Sequence, residues 1–203
     1  MLPLDIRIFI KENIDLIEKN EFDLLYQKAV GTQGIMSPGI LTDALLAADI
    51  HPLQYLDTIP PLYFEGSQQT TFIVPSHIKA ARAACFAYSN LEQITFHNNC
   101  ELLHGCCHNS SLKSVKIPNI MNEVPDECFY NCTELTEVDL NDVEQIGSEA
   151  FAYCEKLDQI FIPDNINFIA PSAFDKTITL LIHKDNDYVI DYATKNKIKV
   201  KFL

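Results

Sequence analysis

The sequence predicts an α/β solenoid of about six turns, with a parallel sheet along one face and a helical segment in front of it. Three observations predict this. A phrase recurs, as LLHGCCHNSSLKSVKIP at 102–118, VPDECFYNCTELTEVDL at 124–140 and IGSEAFAYCEKLDQIFIP at 146–163. Aligned on the aromatic that follows a small residue, Phe86, Cys107, Phe129, Phe151 and Phe174 form one column at a nearly constant interval. Residues 1–56 have a different texture, with apolar side chains at helical spacing. A fixed period of this kind marks a solenoid, because each unit buries its apolar edge only against the next. A sandwich of the same composition would not need an occupied column in every period.

Taken in chain order, Ile6, Phe9, Ile10, Ile14 and Ile17 recur at helical spacing, and Phe22, Leu25, Tyr26 and Ala29 do so again after Asn20, the expected N-cap of a second helix. GTQGIMSPG at 31–39 reads as a loop, and Ser37-Pro38 opens a third helix through Ala48. Two roles are open for residues 1–56: a cap over the exposed edge of the first repeat, or a separate partner-binding domain. The cap is favoured because Tyr55, Leu56 and Ile59 run into the first repeat without a flexible linker.

The repeats occupy 57–184. A little after the aromatic column stand Leu91, Leu112, Leu135 and Leu157, then Ile94, Val115, Val138 and Ile160, then Phe96, Ile117, Leu140 and Ile162. The pattern L-x-x-I-x-I/L is one short strand whose apolar residues, two apart, share a face. The same ruler places Phe64 in the aromatic column and Phe72 and Val74 in the strand columns, so the solenoid begins near residue 57.

These columns resemble the BspA-type leucine-rich repeat, whose turns read as an IP, an I-G, an A-F, a C and an L-x-x-I. Segments 124–140 and 146–163 match closely, 59–96 loosely, and 102–118 with Cys107 in place of the aromatic. The resemblance implies a leucine-rich-repeat solenoid. It also implies that 185–203, with DNDYVIDYATKNKIKVKF at 185–202, forms a C-terminal cap of a short helix and a final strand. The family is a scaffold, so the resemblance speaks to fold and little to activity. Many relatives are secreted surface proteins, whereas MLPLDIRIFIKENIDLIEKN carries Asp5 and Glu12 and no long apolar run, and is read as neither a signal peptide nor a membrane span. The leader is similar to those of small phage-encoded repeat proteins. A cytoplasmic location follows as an expectation, the host cytoplasm if the chain is phage-encoded.

Seven cysteines invite a search for chemistry. Cys85, Cys106 and Cys128 share the column of Ala150 and Ala173, and Cys132 and Cys154 share another, which makes five of the seven small core residues. An odd count with no export signal argues against a disulfide framework. HNNCELLHGCCH at 97–108 gathers His97, Cys100, His104, Cys106, Cys107 and His108, ligand types that suit zinc. The register, however, sends Cys106 and Cys107 into the core and His104 and His108 to the opposite rim, and the spacing fits no paired-ligand motif, so no metal and no cofactor is expected. The motifs of nucleophile elbows, phosphate loops, zinc hydrolases and dinucleotide folds are missing. A dyad of Cys107 with His104 or His108 rests on adjacency alone. The chain is therefore expected not to be an enzyme.

What a solenoid offers instead is its strand face. With the apolar columns inward, the outward positions are Thr71 and Ile73, Gln93 and Thr95, Ser114 and Lys116, Glu137 and Asp139, Gln159 and Phe161. Phe161 is either an interface anchor or is packed under the terminal helix at 187–196. The chain holds 28 acids and 15 bases, and 113–156 alone holds ten acids and three bases. This charge repels phosphate backbones and anionic membranes, and it suits either solubility or a basic protein partner. The function expected is an intracellular, non-enzymatic module that binds another protein through this face. Alternatives are an acidic inhibitor of a nucleic-acid-handling protein, phage against host, and a surface adhesin, which would need export.

Overall fold

Two left-handed backbone positions recur in each of the first five turns and shape them. One column is Leu62, Ala84, Gly105, Glu127 and Glu149; four residues on, the other is Gly66, Tyr88, Asn109, Asn131 and Tyr153, with φ between 53° and 69° throughout. Glycine and asparagine adopt this conformation readily, but the other side chains do so at a cost of about 1–2 kcal/mol each. Stacking offsets it, since each arch hydrogen-bonds to the next: Phe86 N–H to Cys106 O at 2.8 Å, Cys107 to Cys128 at 2.9 Å, Phe129 to Ala150 at 2.9 Å and Phe151 to Ala173 at 2.9 Å. The aromatic column sits between the two kinks and points inward. Phe129, Phe151 and Phe174 stack with centroids 5.3 and 5.4 Å apart.

The computed structural model describes residues 4–31, 37–183 and 186–203; much of the loop expected at 31–39 lies outside them. The strand face appears in the predicted register. Strands β2 (Thr71–Ile73), β4 (Gln93–Thr95), β6 (Ser114–Lys116) and β8 (Glu137–Asp139) form one parallel sheet. A second parallel sheet contains β10 (Gln159–Phe161), β12 (Thr179–Ile182) and β13 (Lys199–Phe202). The expectation of a single sheeted face is incomplete, because a second ladder of two-residue strands runs along the chain. Its first part is β1 (Thr58–Ile59), β3 (Ala80–Ala81) and β5 (Glu101–Leu102); its second is β7 (Glu123–Val124), β9 (Gln145–Ile146) and β11 (Phe168–Ile169). One inward residue per strand, such as Leu102, Val124 or Ile146, is too little to show as alternation in the sequence.

The N-terminal helices are α1 (Leu4–Glu12), α2 (Ile14–Glu18), α3 (Phe22–Val30) and α4 (Pro38–Ala47). Two expectations fail here. Ile14 is 48% exposed and Leu16 is buried instead, because the helix breaks at Asn13. That side chain is buried, donates to Phe9 O at 2.9 Å and accepts from Lys28 Nζ at 3.0 Å, which turns Ile14 outward and Leu16 inward while Ile17 stays buried as expected. Asn20 is not the N-cap of α3, a place taken by Glu21. Asn20 closes α2 in the left-handed conformation (φ 58°), donating to Ile17 O while Glu21 N–H reaches Leu16 O at 2.8 Å. Asparagine suits both ends of a helix, so the residue alone did not decide which.

The helices pack on the first turn. Tyr26 and Tyr63 rings lie 4.9 Å apart, and the buried Thr42 hydroxyl donates to Tyr63 O at 2.9 Å. A short 3-10 turn, Pro52–Gln54, leads into β1 with Leu53 and Leu56 buried. At the other end α5 (Asp187–Asn196) starts at Asn186, whose side chain accepts from Val189 N–H at 3.2 Å, and stops at left-handed Lys197. It closes the second ladder with tyrosine hydroxyls. Tyr188 Oη accepts from Ile169 N–H at 2.6 Å and Tyr192 Oη donates to Ala170 O at 3.2 Å, supplying partners where no further strand follows.

Candidate interaction surface on the strand face

Alternation in the strands puts eight of the ten predicted residues outward and exposed; Ser114 and Phe161 are half-buried. Neighbouring strands bring Gln93 beside Ser114, Ser114 beside Glu137, and Lys116 beside Asp139. Six of the ten, Gln93, Thr95, Ser114, Lys116, Glu137 and Asp139, line one shallow trough of about 500 Å³ whose floor includes Ile94, Phe96 and Val115. Thr71 and Ile73 lie at the edge beyond it. Gln159 and Phe161 lie on the other side, in a different hydrogen-bonded sheet.

The charges in the trough are not equivalent. Lys116 Nζ is 2.6 Å from Asp139 Oδ2, and Asp139 Oδ1 accepts from Asn141 N–H at 2.9 Å. Partial burial pushes the Asp139 carboxyl up, but these two donors outweigh it and hold the group below the usual carboxylate range. Glu137 has no ion-pair partner among the described residues. Of the two acids it is the one free to meet a cation from outside.

Phe161 is not packed under the terminal helix. Its ring meets His183 at 4.5 Å and its strand neighbour is Leu181. The helix lies elsewhere, on Ile169 and Ala170 through its tyrosines. The ruler also stopped too early. Gln159 pairs with Thr179 and Thr179 with Lys199, while Phe161 pairs with Leu181 and Leu181 with Lys201, so the face runs two strands further. The final strand was expected as part of the C-terminal cap, but Ile160, Leu180 and Val200 follow one another at a shorter interval than Ile94, Val115 and Val138 do, which hid β12 and the fact that both strands continue the face. The complete face changes character along its length: uncharged at β2 and β4, acidic at β8, half-exposed and apolar at Phe161 and Leu181, and basic at Lys199 and Lys201.

Comparison with known proteins agrees with this geometry. The BspA type leucine-rich repeat region matches residues 54–181 in six copies. The chain belongs to the BspA-type leucine-rich repeat family. The resemblance seen in the columns is thereby confirmed, and with it a repeat family generally made up of protein-interaction or surface repeat proteins. No protein of curated function matches. Three solved chains match, two of them as follows. A leucine-rich repeat protein from Bacteroides ovatus has 20% identity over 73% of this chain and 46% of that one, with a TM-score of 0.48. A leucine rich cell surface protein from Faecalibacterium prausnitzii has 13% identity over 65% and 59%, with a TM-score of 0.33. The chain spans less than two thirds of the length of either.

In this BspA-type chain all seven cysteines are buried thiols. Cys106 Sγ lies 3.4 Å from Cys107 Sγ and 3.6 Å from Cys128 Sγ, so three thiols meet where Cys107 replaces the aromatic of its column. Burial pushes the Cys85, Cys107 and Cys128 thiols up. At Cys106 burial pushes the same way, and the flanking thiols overcome it and bring the group below the ordinary thiol range. Access overrides acidity here, because all four are fully enclosed. An aromatic disulfide reagent at pH 8 is expected to titrate none of the seven thiols rapidly in the folded protein and all seven in denaturant. Even one fast thiol without denaturant contradicts the packing.

The histidines of 97–108 do not converge on sulfur. His97 Nε2 is 2.8 Å from Ile78 O, and exposed His104 lies 3.9 Å from Glu127. His108 departs from the expected rim position, since it is half-buried with its ring edge-on to Tyr88 at 5.2 Å. Among the described residues no thiol–imidazole hydrogen bond forms, and no group of three or more potential ligands is placed to hold a metal. No helix among them is long and apolar enough to cross a membrane.

Proposed function

We propose that this repeat protein is a non-enzymatic, intracellular module that binds a partner protein through its strand face. The observation that carries the proposal is the trough at β4, β6 and β8, where unpaired Glu137 stands beside the Lys116–Asp139 pair over an apolar floor. A rigid sheet pre-organises such groups, so little entropy is lost on binding. Phe161 and Leu181 add apolar area next to it, the mix that anchors protein interfaces. An intracellular setting is supported by the cysteines, which pack as thiols in the core.

The tagged full chain is to be compared with two variants, Phe161→Ala and Glu137→Lys/Asp139→Lys, in capture from a bacterial lysate. Loss of the same bound protein by about tenfold or more in the charge-reversed variant is expected, with a smaller loss for Phe161→Ala. Capture by both variants at the level of the parent chain would remove the strand face from the interaction.

A second reading is favoured by one feature of the acidic band. Its three bases are all paired, Lys113 with Glu92 at 2.7 Å, Lys116 with Asp139 at 2.6 Å and Lys156 with Glu134 at 2.6 Å. That leaves exposed carboxylates such as Glu137, Asp142 and Glu144 uncompensated. This surface suits a protein with a basic groove, and the inhibitor reading, phage against host, rests on it. Capture of a nucleic-acid-handling protein that is lost between low salt and about 0.3 M salt supports this reading, whereas salt-independent capture excludes it.

A further inference from the structure

Beside β2 the cap and the first turn leave a groove that neither fills. It has a volume of about 250 Å³ and its walls include Leu46 of α4, Leu53 of the 3-10 turn, Phe64 of the first arch, and Phe72 and Pro75 of the β2 segment. No residue of β4 lines it, so it lies along the outer edge of β2. The cap is tied to the first turn on either side of this strand. Before it, the Asp43 carboxylate accepts from Ser67 Oγ at 2.7 Å and Gln68 N–H at 2.8 Å; after it, His77 Nε2 is 2.7 Å from Leu53 O. Between the two ties no hydrogen bond from the cap reaches Thr71, Phe72 or Ile73.

The strand itself shows which groups are left open. In a parallel strand the N–H and C=O of one residue point to the same side, and those of the next point to the other. Thr70 O accepts from Glu92 and Gln93 N–H, and Val74 N–H donates to Thr95 O at 3.0 Å, so residues 70, 72 and 74 serve β4. The N–H and C=O of Thr71 and of Ile73 therefore point away from β4 to the open edge, next to the groove residues Gln69, Phe72 and Pro75, and they have no partner among the described residues. Open edges are normally covered or guarded by charge. Tyrosine hydroxyls cover the edge at β11, and the outer strand β13 carries Lys199 and Lys201. The β2 edge has neither protection: Ile73 is 74% exposed and no lysine or arginine lines the groove. The lining holds His51 and His77 and no carboxylate, and two acids stand at its rim: Asp43, bonded to the lining residue Gln69, and exposed Asp49, bonded to the lining residue His51.

We propose that this groove binds an extended peptide segment of a partner protein, which adds a strand to the β2 edge, sets one bulky apolar side chain between Leu46, Leu53 and Phe72, and meets the acidic rim with a basic residue. Strand addition supplies affinity through main-chain hydrogen bonds and specificity through the pocket. The site is independent of the strand-face trough.

The probe is the capped peptide Lys-Val-Thr-Phe-Thr-Val-Lys, titrated into the isotope-labelled full chain and followed by amide shifts. Perturbations are expected at Thr71, Phe72, Ile73 and Leu46. Affinity is expected to fall at least about tenfold when alternate peptide amides on the pairing edge are methylated, when the peptide Phe becomes Ala, and in the variants Ile73→Pro and Leu46→Glu. Ile73→Pro removes an outward N–H and spares the bonds to β4, and an unchanged melting temperature verifies that. Glu137→Lys/Asp139→Lys should bind the peptide as the parent does, which separates failure here from failure of the strand-face proposal. The proposal is overturned by equal binding of the methylated peptide, by shifts confined to Glu137–Asp139, or by no shifts at millimolar peptide. Self-association of the full chain that Ile73→Pro abolishes would overturn it too, assigning the edge to a second copy.

Discussion

Phe151→Ala is expected to destabilise the protein by about 4 kcal/mol, within the range for a buried phenylalanine cut to alanine. The ring is buried and lies between Phe129 and Phe174, at 5.3 and 5.4 Å with interplanar angles of 10° and 7°. Removing it therefore opens two interfaces between turns at once, and in a solenoid each turn is held only by its neighbours. The backbone kinks on either side of the ring, at left-handed Glu149 and Tyr153, lose the packing that holds them. Urea unfolding checks the effect. A midpoint that moves by an amount worth less than about 1 kcal/mol would mean that the stacked column contributes no more than ordinary apolar contacts.

The second large effect is expected at Gly39→Ala. A Cβ there would lie 2.4 Å from Glu65 O and 2.5 Å from the Phe64 carbonyl carbon, both backbone atoms that cannot swing away. Gly39 N–H donates to that same Glu65 O at 3.1 Å, and the Ser37 hydroxyl donates to it too, so α4 is seated directly on the first arch. Alanine must lift the helix, breaking these bonds and loosening the Tyr26–Thr42–Tyr63 network, at a cost of about 2–3 kcal/mol. The loss should be local, so hydrogen exchange is expected to rise in α3 and α4 while amides of β6, β8 and β10 keep their protection. Gly31→Ala is the control. Its backbone is right-handed (φ −67°) and a Cβ there has ordinary contacts at 3.4 Å, so stability should hold. Equal melting temperatures for Gly39→Ala and the parent would show that the cap is not seated as described.

The residues that could be read from the sequence are those repeated often enough to average out local exceptions. Phe64, Phe86, Phe129, Phe151 and Phe174 share one environment, as do Leu91, Leu112, Leu135 and Leu157. The same columns explained Cys85, Cys106 and Cys128 as core and placed Gln93, Ser114 and Glu137 side by side outside. Single occurrences were harder. Asn20 fits both ends of a helix, and only the following Glu21, bonded back to Leu16, decided between them. Asn13 broke the helical phase by burying an amide that Phe9 O and Lys28 satisfy, a pairing with a residue fifteen positions away. Lys199 and Lys201, on a final strand that was expected, were missed as part of the face because the last turns are shorter than the ones before them, and the two-residue ladder because it has one inward side chain per strand.

Period and alternation are properties of the chain itself, so the sequence alone determined the solenoid, its family, the inward columns and the outward positions of β2 to β10. The tertiary structure decided what those positions become together. It gathered six of them over one apolar floor, paired Lys116 with Asp139 and left Glu137 free, and set Phe161 against His183 instead of the terminal helix. It also left the Thr71 and Ile73 backbone open beside an apolar groove. The physical reason is that ion pairing, edge exposure and cavities depend on how separate turns and the cap meet, and those contacts are fixed by packing across the chain, which no local spacing encodes.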